Sequence, residues 1–149
     1  MTCKLLSNDY IQRLKSWNEL RASLVDKDAL TICTAVNEYW LNCKLEKYYL
    51  HPVDIPEWPT PWELINDHVY CQYSRALGII YTLMLLGIQD IDLVDVVYDN
   101  NENIPIVLVN NAKYLLNCRD DELLNSCSSN YTITRKYDIR PLREKAVQR

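Results

Sequence analysis

The chain has 149 residues, 48% apolar and 24% charged, a make-up that suits one globular domain with one sizeable core. A net charge of −4 and a pI near 5.1 argue against a nucleic-acid or anionic-membrane surface as the main partner. The only glycines, Gly78 and Gly87, leave no phosphate-cradling loop and no dinucleotide fingerprint, since both need clustered glycines.

Met1 to Tyr10 lacks the long apolar core of a signal peptide. The six cysteines (Cys3, Cys33, Cys43, Cys71, Cys118, Cys127) are therefore expected as reduced thiols in the cytoplasm. No C-x-x-C pair occurs and neither histidine lies near a cysteine pair, so neither metal nor cofactor is expected.

Residues 8–24 read as an amphipathic helix capped by Ser7 or Asn8, with Tyr10, Ile11, Leu14, Trp17, Leu20 and Leu24 on one stripe. Asp26-Lys27-Asp28 ends it and caps a second helix, which runs to about Lys44. Ala29, Ile32, Cys33, Val36, Tyr39, Trp40 and Cys43 form its inner face. The tight link implies an antiparallel pair.

Tyr48 to Pro61 reads as a loop held by Pro52, Pro56, Pro59 and Pro61. Trp58 and Trp62 flank its last bend and staple it to the core, and His51 and His68 bracket the region. Thr60-Pro61-Trp62-Glu63 is a capping box with proline at the first helical position, opening a short helix that breaks near Asn66-Asp67-His68.

The next helix starts between Val69 and Cys71, runs to Leu86 and stops at Gly87. It is apolar almost all round, which marks a central buried helix. Gln72, Ser74 and Arg75 interrupt it, and it falls short of the about 20 apolar residues of a membrane span. Cys71 lies at its N-terminus, where unpaired amides and the helix dipole favour a reactive thiolate. Read otherwise, it is a small packing residue. His68 lies three residues before it.

Ile91–Tyr98 and Ile104–Val109 read as strands separated by a polar turn, Asp99 to Asn103. Asn110-Asn111 is a tight hairpin turn into a third strand, Ala112 to Asn117. Asp120 to Asn125 reads as one helical turn and Tyr131 to Ile139 as the last strand. The charged residues after Pro141 read as a frayed, solvated tail. Helices followed by an antiparallel sheet make an α+β fold. The expected single domain divides into a helical pair (1–46), a proline-rich loop (47–61), a core helix with sheet (62–140) and a tail (141–149).

A cysteine opening a buried helix, followed by antiparallel strands, resembles the transglutaminase-like branch of the papain-like cysteine enzymes. Cys71-Gln72-Tyr73-Ser74-Arg75-Ala76-Leu77 through Leu86-Gly87-Ile88 is similar to that family's nucleophile helix. Ile91 to Tyr98 is similar to the strand that follows. Asn103 to Asn117 can be laid without a gap on the pattern of a His-Ala-Trp-like strand, a hairpin turn and a strand ending in Asp. The resemblance covers roughly residues 60 to 118 and implies a nucleophile, base and orienter working on an acyl carbon. Cys71 matches the nucleophile. Asn117 falls at the orienting Asp, a mild departure. Asn103 falls at the His, a severe one, because an amide accepts no proton near neutral pH. No histidine follows His68, so His51 or His68 would have to supply the base from the other side.

Two functional readings follow. In one, the transglutaminase-like fold has lost acyl transfer and serves as a binding or assembly module for another protein. In the other, a divergent protease, amidase or acyltransferase uses Cys71 with His68 or His51. A general base typically contributes about 10²- to 10⁴-fold, which favours the first. A third reading is an unrelated α+β protein with an inert, buried Cys71. Tyr39, Tyr48, Tyr49, Trp58 and Trp62 surround the proline-rich loop, and a partner-binding surface is expected to include it. The abundant Asn, Ile, Lys and Tyr would suit an AT-rich genome such as that of some phages, while the absence of Phe cuts against it.

Overall fold

A computed structural model describes residues 7, 9–43, 52–67, 70–98, 103–117 and 131–147, with the backbone alone for 52–54, 98 and 131. His51, His68, Tyr48, Tyr49, most of the turn expected at 99–103 and the helical turn expected at 120–125 lie outside the described residues.

The first helix, α1, spans Tyr10–Leu24. Its cap is Asp9, one residue beyond the expected Ser7 or Asn8: the Ile11 amide donates to the Asp9 carboxylate at 2.9 Å. The expected inner stripe is also corrected. Ile11 points outward at 62% exposure, while Arg13 and Ser16 are buried beside Trp17, Leu20 and Leu24. Arg13 goes inside because it finds carbonyls there. Its Nε donates to Ile65 O at 2.9 Å and its Nη2 to Asn66 O at 3.1 Å, which satisfies the end of a neighbouring helix.

Asp26, at φ 65°, turns the chain into α2, Ala29–Leu41, which ends short of Lys44. Its expected inner face is buried from Ile32 to Cys43, with Ala29 partly so, and Asn37 joins it. α2 packs mainly on the central helix and α1 mainly on the short third helix, so the pair meets less closely than its link suggests. The proline-rich stretch is more ordered than a loop: Pro52–Glu57 forms a 3-10 helix, and Ile55 and Trp58 enter the core.

α3, Pro61–Asp67, is opened by the expected capping box. The Thr60 amide donates to Glu63 Oε1 at 2.8 Å and the Glu63 amide to Thr60 Oγ1 at 3.3 Å. α4, Gln72–Leu85, is the central helix, buried from Ser74 to Leu83. It ends in a Schellman motif. The Ile88 amide reaches Leu83 O and the Gly87 amide reaches Met84 O, both at 3.0 Å, with Gly87 at φ 88°. Gly78 serves close packing: a Cβ there would lie 2.5 Å from the Trp40 ring.

Among the described residues four strands follow: β1 Ile91–Tyr98, β2 Ile104–Val109, β3 Tyr114–Leu116 and β4 Tyr131–Tyr137. The sheet is antiparallel throughout, in the order β3-β2-β1-β4. β1 aligns Ile91 with Val109 and Val96 with Ile104. β3 is shorter than expected because Asn110, Asn111 and Ala112 all take left-handed φ values of 56° to 64°. That spends Ala112 and Lys113 on the turn.

The expected solvated tail is instead a helix, α5, Arg140–Lys145. Leu142 and Ala146, one turn apart, are buried in the main core, which gives the charged segment an apolar edge to fold on. That core gathers residues from α1 to α5 with Leu93, Val107, Val109 and Leu116 of the sheet. A second cluster, Val94, Val96, Ile106, Leu108 and Leu115, is buried separately. β1 and β2 therefore bury both alternating sets of side chains, which explains their near-continuous apolar runs. The architecture is α+β. No helix among the described residues is long and apolar enough to cross a membrane.

Candidate functional site

The candidate site lies where α4 begins and meets the sheet. Cys71 is the N-cap of α4, with an extended backbone (φ −113°, ψ −176°) and partial exposure. Its amide donates to Ser74 Oγ at 2.6 Å, and its carbonyl accepts the Arg75 amide at 2.9 Å. Ser74, itself buried, places its hydroxyl 3.6 Å from the Cys71 sulfur. The thiol thus sits at the positive end of a buried helix. Cys33 and Cys43, by contrast, are buried packing residues, and burial pushes the Cys33 thiol up to about 11.

Asn117 is 3% exposed and stands at φ 69° just after β3. Its Oδ1 accepts from Arg75 Nε at 2.6 Å. Its Nδ2 donates to Gln72 O at 3.1 Å and to Pro105 O at 2.8 Å. Its backbone amide donates to Asn37 Oδ1 at 2.8 Å. One residue therefore ties α2, through its backbone amide, to the first turn of α4 and to β2, through its side chain. Gln72 adjoins Cys71, so the structure brings Asn117 to the start of the same helix turn.

Asn103 precedes β2, two residues from Pro105, and is exposed. Its Oδ1 accepts from the Thr134 hydroxyl at 2.6 Å. Thr134 is the extra residue where β4 slips register against β1, between Asp95–Arg135 and Val96–Ile133. Trp58 is only 2% exposed and meets Tyr73 edge to face at 6.2 Å. Trp62 is partly exposed and meets Trp17 in the same way at 5.9 Å. His68 and Tyr49 lie outside the described residues.

Sequence reasoning missed a second polar group at this junction. Asp95, on β1, is buried, and both its carboxylate oxygens are occupied. The Tyr73 hydroxyl donates to Oδ1 at 2.7 Å and the Tyr137 hydroxyl donates to Oδ2. The Tyr73 phenol is pushed well above its usual value by burial and by its bond to Asp95, and Tyr137 is raised by the same causes. The phenols stay protonated and act as donors. The two rings stand edge to face at 6.2 Å. The signal was an acid between Val94 and Val96 in an otherwise apolar strand.

Chemically, the junction offers a helix-start thiol with a hydroxyl beside it, a locked amide and a locked carboxylate. Among the described residues, no cluster of His, Cys, Asp and Glu could hold a metal ion. No known family model matches the chain, and no curated protein matches it significantly in sequence.

Proposed function

We propose that this chain is a non-catalytic binding or assembly module built on a transglutaminase-like fold, acting in the cytoplasm on a protein partner. The observation that carries this reading is the commitment of Asn117. At the position that would orient a catalytic imidazole, its Oδ1 holds Arg75 and its Nδ2 holds two backbone carbonyls. The side chain serves the fold. At the position of the base, Asn103 is an exposed amide engaged by Thr134, and an amide takes no proton near neutral pH. The partner surface includes the proline-rich segment, where Trp62 offers a partly exposed aromatic and Trp58 anchors the segment from inside.

A second reading, a cysteine acyl-transfer enzyme or hydrolase using Cys71 with His68 or His51, is favoured by one observation: the thiol is partly exposed at the start of a buried helix. The alkylation rate of Cys71 against pH separates the two, in folded protein with the other five cysteines replaced by Ser or Ala. The non-catalytic reading expects a slow rate rising only toward the reference thiol pKa of about 8.5. A fast rate that titrates well below that value, and falls when His68 or His51 is removed, favours the enzyme.

A further inference from the structure

Among the described residues, the outer face of α1 packs against no other element. Ile11, Leu14, Lys15, Asn18, Glu19 and Ala22 line an open groove of about 580 Å³ along it. These positions recur every three to four residues, so they form one stripe opposite the buried face of Trp17 and Leu20. Ile11 is 62% exposed, the most of any large apolar side chain described within the first four helices. Lys15 and Glu19 sit on one edge of the stripe, one turn apart and both exposed. Lysine placed N-terminal to glutamate is the weaker order for a pair within one helix, which leaves both charges suited to a partner.

The stripe is complementary to itself in one arrangement. A two-fold axis crossing α1 at the level of Trp17 runs two copies antiparallel. Residues equally far from that level then face each other on the same edge. Lys15 of each copy meets Glu19 of the other, giving two ion pairs. Ile11 of each copy meets the stretch around Ala22 of the other, large against small. A parallel pairing would instead set Lys15 against Lys15 and Glu19 against Glu19.

We infer that the outer face of α1 is a self-association surface, on which a second copy of this chain docks antiparallel through Ile11, Lys15, Glu19 and Ala22. One helix face is small, so the dimer is weak and exchanging. This inference rests on α1 alone and stands apart from the chemistry of Cys71, so either reading can fail without the other.

Sedimentation velocity over a concentration series from micromolar to near-millimolar tests it. Wild type is expected to shift from monomer to dimer. Lys15→Glu and Glu19→Lys each turn both ion pairs repulsive and should weaken association by about tenfold or more. Mixing the two single variants should restore it, because every cross-pair is then opposite in sign. The double variant Lys15→Glu/Glu19→Lys should also recover. Both sites are exposed, so the variants are expected to fold, which circular dichroism checks. A wild type that stays monomeric throughout overturns the inference and assigns the groove to a different protein. Single variants that associate like wild type, or a mixture that fails to recover, also overturn it.

Discussion

Arg75 Nε donates to Asn117 Oδ1 at 2.6 Å across 42 residues of chain, and both groups are buried. This bond joins the central helix to the end of β3. It gives a buried guanidinium an acceptor where an unmatched one would be costly.

Removing that acceptor should be expensive. Asn117→Ala removes one hydrogen bond from the Arg75 guanidinium and one from each of two backbone carbonyls, and puts at a positive φ a residue that favours it less than Asn does. The expected loss is about 3–4 kcal/mol in urea unfolding. Asn117→Gly loses the same bonds but accepts the φ of 69°, so it should be milder by about 1 kcal/mol. Equal losses for the two would show that backbone conformation contributes nothing there.

Thr82 is the acceptor at the middle of the core. Its Oγ1 takes the indole N–H of Trp17 at 2.9 Å and that of Trp40 at 3.0 Å, while its own proton goes to Gly78 O at 2.7 Å. Thr82→Val keeps the shape and orphans two buried donors, each worth about 1–3 kcal/mol. A total loss of about 2–6 kcal/mol is expected. Thr82→Ser keeps the hydroxyl and should cost only about 1 kcal/mol, for one methyl. A valine variant as stable as the serine variant would refute the role of the hydroxyl.

Alkali should unfold this protein earlier than its neutral-pH stability suggests. Burial raises the phenols of Tyr70 and Tyr81, and burial together with Asp95 raises Tyr73 and Tyr137. The folded chain therefore holds these protons more tightly than the unfolded chain, whose tyrosines titrate near about 10. Stability from these groups is complete below about pH 10 and declines as pH rises through that value, because the unfolded state then releases protons the native state keeps. The urea midpoint should fall between about pH 9 and pH 11, and the fall should be shallower in Tyr73→Phe. A midpoint flat across this range would contradict it.

Much of the fold was legible because local chemistry and burial agreed. The Thr60–Glu63 box, the start of α4 at Cys71, the stop at Gly87 and the limits of β1 and β2 all follow from short-range signals. What escaped was decided by distant partners. Arg13 reads as a surface cation until the carbonyls of Ile65 and Asn66, more than 50 residues on, are placed beside it. Leu142 and Ala146 are too few to mark a helix among Arg140, Arg143, Glu144 and Lys145, yet they suffice once the core is there to receive them. Ala112 in a left-handed conformation has no sequence signal, since Ala rarely adopts it. At the site, Cys71 was singled out by its place at a helix start and Asn117 by the resemblance laid on residues 103 to 117. The three-way contact of Asp95, Tyr73 and Tyr137 depends on strand pairing that only the tertiary structure specifies.

Among the described strands, β4 stands on the rim of the sheet and is bonded to β1 alone. An open rim is a template for runaway strand addition between molecules. Here it is guarded. Arg135 and Lys136 are exposed along it, and the irregularity at Thr134 breaks its regular register. A second β4 laid alongside would bring cations near cations and meet a rim of broken spacing. Among the described side chains of β4, Ile133 is a large apolar one at 48% exposure, and the charges of Arg135 and Lys136 beside it disfavour strand addition there.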